Sequence, residues 1–221
     1  MGFYKIAAAV LTWLFRSFLI LAGLNYLYYG DVIAFILFLF TFILTLLPVM
    51  LEQLYKIELH WFVDLAVSFM VAMHMFGFYG AYLWFPFYDD FAHIMGSALV
   101  AVFGFALVYS SNYSGKIKIS LPSMSFFTFI WTMAVGGVWE IIEFTWDNIV
   151  IFSHEYGFSQ NSLLDTMTDL SLDAVAGICV ALFCVFLVRG ASKKALEGIF
   201  MPFACMIQHR KPVEKTVTAS S

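Results

Sequence analysis

DTMTDLSLDAVAGICVALFCVFLVR, Asp165 to Arg189, decides the reading of this chain. Between Thr166 and Val188 only Asp169 and Asp173 carry charge, and the stretch exceeds the ~20 mostly apolar residues that cross a hydrocarbon core of ~30 Å. Asp165, Asp169 and Asp173 follow one another at i, i+4 and i+8, so on a helix they form one stripe. The segment reads as a membrane helix that enters the bilayer carrying carboxylates.

Working outward, five more stretches meet the same length criterion, at residues 4–28, 31–51, 61–83, 91–109 and 125–148, with 166–188 as the sixth. Composition agrees. The chain is 62% hydrophobic and 12% charged, with 26 Phe in 221 residues. Soluble domains are nearer half apolar and a quarter charged. The expected fold class is therefore all-α, a six-span transmembrane bundle over residues 1–189 followed by a basic tail, 190–221. The first apolar run is too long for the core of a signal peptide and lacks a convincing cleavage site, so it is expected to be retained. Cys179, Cys184 and Cys205 match neither a disulfide framework nor a zinc knuckle and read as packing residues.

In a six-span topology, Lys5, Lys56, Lys116, Lys118, Arg189, Lys193, Lys194, Arg210, Lys211 and Lys215 all fall on one side, and the opposite loops contain no Lys or Arg. The positive-inside rule then places both termini in the cytoplasm of a plasma (inner) membrane protein. Arg16, inside the first span, is expected to pair with Asp64 on the same half, because helical side chains lean toward the N-terminus. In the tail, the apolar piece 198–207 between cations suits an anchor on an anionic leaflet and suits an irregular tail equally well; residues from Pro212 onward read as disordered.

Eight of the 15 acidic residues fall in three motifs. Asp89 and Asp90 open the fourth span with His93; Glu140, Glu143 and Asp147 close the fifth; Asp165, Asp169 and Asp173 open the sixth. Asp89 and His93 are an i, i+4 pair, and Glu140, Glu143 and Asp147 run i, i+3, i+7, so each motif presents one face. The topology brings all three to the outer half, where at 1.5 Å per residue His93, Glu140, Glu143, Asp169 and Asp173 lie within roughly 15 Å of the outer face. His74 in the third span reaches a similar depth. They form one site or two neighbouring ones. Gly96, Gly136, Gly137 and Gly177 flank the motifs and are expected to let the helices approach.

A carboxylate inside the bilayer costs a few kcal/mol even on permissive scales. No Lys or Arg occurs between Lys56 and Lys116 or between Lys118 and Arg189, so protons or a metal must neutralise the cluster. A divalent ion is the more economical answer, held among Asp89, His93, Glu140, Glu143, Asp147, Asp165, Asp169, Asp173 and His74. Oxygen-rich ligands favour Mg, Ca or Mn, with Zn or Fe as alternatives; the Glu-x-x-His pairs of di-iron bundles are absent. Blander roles exist for several of these residues. Helix capping explains Asp165 well, Asp169 partly and Asp173 poorly. Asp90 suits a solvated interface residue, Asp147 sits near a span end, His74 suits a hydrogen-bonded core histidine, and His154 and Glu155 are loop residues with a weak signal.

The motifs Tyr88-Asp89-x-x-x-His93, Trp139-Glu140-x-x-Glu143 and Asp165-Thr166-Met167-x-Asp169-x-x-x-Asp173 with Gly177 resemble those of the YjdF-like family of bacterial and archaeal inner-membrane proteins. The resemblance covers residues 51–188 and implies a polytopic membrane protein without an assigned substrate. The Asp-x-x-x-His element also looks, more weakly, like one in VanZ-like membrane proteins. Three functions stay open: a metal-dependent enzyme on lipid or isoprenoid phosphates with His93 and Glu140 as catalytic residues, a divalent-cation or proton-coupled transporter, and a structural metal-binding accessory protein. Membrane lipids are the expected partners, and nucleic acid is not one.

Overall fold

The computed structural model describes residues 2–149 and 162–208. All of their regular structure is helical: α1 (Phe3–Tyr28), α2 (Val32–Thr45), α3 (Leu47–Tyr55), α4 (Trp61–Phe76), a π-helical turn (Gly77–Ala81), α5 (Tyr82–Trp84), α6 (Tyr88–Tyr113), α7 (Leu121–Ile149), α8 (Leu163–Gly190) and α9 (Lys193–Gln208). Six units are long and apolar enough to cross a membrane: α1, α2 with α3, α4 through α5, α6, α7 and α8. The expected six-span, all-α architecture holds.

α6, α7 and α8 start three or four residues earlier than apolar counting suggests, because their first turns include polar residues or proline. Ser162 caps α8 by accepting from the Asp165 amide, and Pro122 sits in the first turn of α7, where its missing N–H costs nothing. The second span is not one helix as its apolar run suggests: it breaks at Leu46, just ahead of Pro48 in the first turn of α3, where the proline ring cannot continue the ladder.

Two groups of helices make up the bundle. In the first, α1, α2 and α4 pack on one another around Leu19, Ala22, Phe38, Ala72 and Met75, with Phe18, Tyr26, Phe78 and Tyr79 beside them. Arg16 lies in this group, 3% exposed. Its Nη2 donates to Asp64 Oδ1 at 2.6 Å and to the Thr45 carbonyl at 2.6 Å, and its Nε donates to Thr45 Oγ1 at 3.2 Å. The expected Arg16–Asp64 pair thus forms, and it uses the carbonyl beside the break after α2. Trp13 stacks on the guanidinium, 5.3 Å from ring centroid to Cζ.

In the second group, α6, α7 and α8 pack mutually. Toward the end where α6 meets α7, an apolar cluster of Phe105, Ala106, Val108, Met124, Cys184 and Phe200 fills the space between them. Phe200 belongs to α9, which is a packed helix. Its ring lies 4.4 Å from that of Tyr109, its carbonyl accepts from Ser110 Oγ at 3.3 Å, and Gln208 Nε2 donates to the Ser114 carbonyl at 2.7 Å. Through 208 the tail is therefore helical and packed on α6 rather than irregular; the stretch from Pro212 lies outside the described residues. Of the cysteines, Cys184 and Cys205 are buried and Cys179 is exposed, all as free thiols.

Candidate metal centre

Where α4 ends, the helix widens into the π-turn, and Gly80 takes φ +149°, a backbone conformation that side-chain-bearing residues rarely adopt. A Cβ there would also stand 2.6 Å from Trp84 Cζ2. The turn re-aims the next residue, so that Tyr82 Oη sits 3.1 Å from His74 Nδ1. His74 in turn sets its ring edge-on against Trp139 at 4.6 Å, and Trp139 Nε1 donates to Glu143 Oε1 at 2.9 Å. A relay of contacts thus runs from the third span to a carboxylate of the fifth.

The rest of the site lies between the start of α6, the end of α7 and the start of α8. Two sets of three ligand-type side chains each place one donor atom within 4.8 Å of the others: His93, Glu140 and Asp169, and Asp89, Asp165 and Asp169. That span is about twice the 2.0–2.6 Å bonds that Mg²⁺ and Ca²⁺ make to oxygen. The first set is deeply placed. Glu140 is 5% and Asp169 3% exposed, and the His93 side chain is 8% exposed. The second set is half-buried at Asp89 and Asp165.

Asp173 takes another position. It is 1% exposed, and its Oδ1 lies 3.5 Å from His93 Nδ1 while also accepting from Ser97 Oγ. His93 therefore turns Nδ1 toward Asp173 and Nε2 toward Asp169, 3.9 Å away. A carboxylate behind the inner nitrogen of an imidazole is the usual way a ligating histidine is oriented. Asp173 Oδ2 is buried without a hydrogen bond among the described residues, and it lies against Gly136, where a Cβ would occupy its space. Gly177 allows Thr132 Cβ to approach to 3.2 Å of its own Cβ position. Gly136 and Gly177 thus do the packing expected of the small residues, while Gly137 has open space beside it and Gly96 meets only Met70 Cε at 4.0 Å.

Other expected site residues lie beside these sets. Glu143 faces the charges of Glu140, His93 and Asp89, with one oxygen taken by Trp139. His74 belongs to the wall through its bond to Tyr82. Asp147 is buried one turn beyond Glu143 and belongs to neither set, and Asp90 is half-buried beside Asp89. His154 and Glu155 lie outside the described residues. Two residues enter that motif reading did not single out, Ser97 and Tyr82, while Trp139, already in the Trp139-Glu140-x-x-Glu143 motif, gains a partner. Ser97 stands four residues after His93, a spacing visible in the sequence. Trp139 and Glu143 have the same spacing. Tyr82 had no such signal, because the π-turn moves it off the helical register.

The chemistry of the donors fits a hard divalent cation. Asp169 accepts no hydrogen bond from any described residue, and its one nearby positive group is the His93 imidazole at 3.9 Å, so a buried carboxylate there gains from further compensation. The buried guanidinium of Arg16 is held by Asp64 and Thr45 in the other helix group.

Fold and site together define a polytopic α-helical membrane protein with a buried carboxylate–histidine cluster at one end of its last three spans. A family model described as "Predicted membrane protein (DUF2238)", the YjdF-like family, matches residues 7–190, and the chain belongs to that family. No curated protein matches the chain, and no solved structure does. The weaker likeness to VanZ-like proteins has no counterpart in these matches.

Proposed function

We propose that this protein is a membrane-embedded enzyme that holds a divalent cation at His93, Glu140 and Asp169 and acts on a lipid or isoprenoid phosphate. The observation that carries the reading is the convergence of these three side chains from α6, α7 and α8, with donor atoms within 4.8 Å of one another. The distribution of Lys and Arg supports a plasma-membrane location with cytoplasmic termini, which puts the site at the outer face, level with lipid headgroups.

A bound cation would supply positive charge for a phosphate oxygen, charge that these three spans do not provide near the cluster, since Arg189, in the last turn of α8, lies at the opposite end of that helix from Asp165 and Asp169. The chain's own residues do the rest. Asp173 and Ser97 fix the His93 ring, Trp139 holds Glu143, and Tyr82 brings a hydroxyl within electrostatic reach of Asp89, Glu143 and Asp169. The half-buried side at Asp89 and Asp165 leaves a way in for a headgroup.

Transport is the less well supported reading. An ion path needs polar groups through both halves of the membrane, and the far half of α6, α7 and α8 is closed by the apolar cluster around Phe105, Met124 and Cys184. The deciding experiment is metal analysis by mass spectrometry of the purified chain beside a Glu140→Gln/Asp169→Asn variant, followed by assay of phosphate release from lipid phosphates in mixed micelles. Bound divalent metal that the variant loses, with phosphate release dependent on it, is the expected result. Absence of metal after resupply of divalent ions defeats the proposal. Metal without turnover on any lipid phosphate leaves a structural or transport role.

A further inference from the structure

We infer that the open side of the cluster faces the hydrocarbon of the membrane, so that a bilayer lipid reaches Asp89 and Asp165 sideways, its chain lying against Leu83, Phe87 and Leu164. This rests on the lipid-phosphate reading above and deepens it: the substrate stays in the bilayer and is not a phosphate dissolved in water.

The half-buried members of the cluster are Asp89 and Asp165, whose carboxylates come within 4.8 Å of each other. Each is set beside apolar residues in its own chain segment. Phe87 stands two residues before Asp89, and Leu164 immediately precedes Asp165. With Leu83 on the short α5, these three are 77–88% exposed. Phe87 also continues down α6 as a stripe through Phe91 and Ile94, both exposed, at the i, i+4, i+7 spacing of one helix face. The rim of the site is thus continuous with the side of a membrane span that lies against lipid, and a contiguous exposed apolar patch of this kind marks a membrane or ligand surface.

The link from α5 to α6 is built to stay out of water. No Asp, Glu, Lys or Arg occurs between Asp64 and Asp89, so the connection between the third and fourth spans carries no charge of its own. Its backbone is satisfied from within. The Phe85 amide donates to the Ala81 carbonyl at 3.0 Å, Pro86 has no N–H, and the Tyr88 amide donates to the Phe85 carbonyl at 3.0 Å. Irregular chain is excluded from hydrocarbon chiefly by unpaired backbone groups, and this link pairs the amides that would otherwise forbid it. Trp84 turns inward onto Phe76 and Tyr79, and Tyr88 Oη donates to the Met73 carbonyl at 2.7 Å. Those contacts hold the link against α4 and leave Leu83 and Phe87 on the outside.

The test places one nitroxide at a time on Leu83→Cys, Phe87→Cys and Leu164→Cys of the full chain, in liposomes of phosphatidylethanolamine and phosphatidylglycerol. A Cys179→Ala background serves, because the other two thiols are buried. Leu14→Cys in α1 marks hydrocarbon, and Lys118→Cys in the loop before α7 marks water. Relaxation by oxygen, compared with relaxation by aqueous chromium oxalate, should group the rim labels with Leu14→Cys. Rim labels that group with Lys118→Cys overturn the inference; this readout needs neither metal nor turnover, so the reading it rests on would still stand. Three positions keep the test decisive should one variant fail to fold. In a second measurement, Phe87→Ser/Leu164→Ser should lower turnover of long-chain phosphatidic acid, relative to a water-soluble short-chain analogue, by about tenfold or more, the effect of losing large apolar contacts. An unchanged ratio overturns the inference, and turnover of neither compound by the unaltered protein defeats the lipid-phosphate reading itself.

Discussion

Removing Asp64 should damage this protein more than removing Arg16, although the two form one ion pair. The asymmetry follows from burial. The Arg16 side chain is 3% exposed, while that of Asp64 is 33% exposed. Coulomb's law at their 2.6 Å separation gives an attraction of about 6 kcal/mol at an effective dielectric of 20, and desolvation offsets much of it. Asp64→Ala leaves a guanidinium enclosed by α1, α2 and α4 with only Thr45 and the Trp13 ring for company. Orphaning one member of a buried pair costs about 3–5 kcal/mol. Arg16→Met removes the buried charge instead and keeps most of the apolar stem. What it loses is the bond to the Thr45 carbonyl, and Asp64 keeps access to water, so about 1–2 kcal/mol is at stake.

For a chain of 150–250 residues each kcal/mol moves the midpoint by about 2–4 °C. Asp64→Ala should therefore lower the midpoint by roughly 6–20 °C, and Arg16→Met by roughly 2–8 °C. The double variant Arg16→Met/Asp64→Leu should recover most of the loss seen with Asp64→Ala. The assay is thermal unfolding in a fixed detergent, followed by tryptophan fluorescence. An Arg16→Met midpoint at or below that of Asp64→Ala, or a double variant no better than Asp64→Ala, refutes the reasoning.

Gly136→Ala places a methyl where Asp173 Oδ2 lies; overpacking of this kind costs about 1–3 kcal/mol. Because Asp173 orients His93, metal affinity should drop about 10–100-fold, read by competition with a fluorescent chelator; unchanged affinity would mean that Asp173 does not position the histidine. Gly80→Ala meets both φ +149° and Trp84, so the π-turn should rearrange at a cost of roughly 2–5 kcal/mol, and a midpoint within 2 °C of the parent speaks against the turn. Phe200→Ala should release α9 from Tyr109 and Phe105, making the chain near Lys193 and Lys194 sensitive to trypsin while the spans melt as before; continued protection would place the docking elsewhere. His60 lies outside the spans and caps α4 by accepting from the Phe62 amide. Burial, then Lys5, lowers its pKa below 6.5, so its neutral form favours folding and the contribution is lost as pH falls from 6.5 through the folded-state value. An NMR titration of His60 should give a value under 6.5 that rises in Lys5→Gln, and a value above 6.5 contradicts that environment.

How far the sequence foretold this molecule depends on which force set each feature. The spans were legible because a bilayer demands ~20 apolar residues in a row, and no packing detail alters that demand. Arg16 and Asp64 were legible for a related reason, since an intramembrane cation must find an anion on its own half. The stripes at Asp89/His93, Glu140/Glu143 and Asp165/Asp169/Asp173 were legible because helical spacing puts them on faces and topology puts those faces at one end. Spacing alone gave no means of dividing the carboxylates between roles. Asp169 and Asp173 are equivalent in the sequence, one turn apart on one stripe, yet Asp169 stands between both donor sets while Asp173 backs onto Gly136 and takes Ser97 and His93. That division is decided by Gly136 on another helix, whose lack of a side chain makes room for the Asp173 carboxylate.

The same limit hid Tyr82. Its position comes from a π-turn that rests on Gly80 at positive φ, and a pair of glycines in an apolar run reads as packing until the backbone is seen. π-Turns inside α-helical segments gather at functional sites, because they re-aim one side chain without moving the helices around it. Here the turn gives the cluster a hydroxyl tied to His74, on a wall otherwise built from Trp139 and the carboxylates. The acidic stripes needed only helical periodicity, which sequence carries openly. Of the groups that hold and orient them, Ser97 and Trp139 keep helical spacing, whereas Tyr82 needed a break in periodicity that rests on Gly80 and Asp173 needed the space that Gly136 leaves.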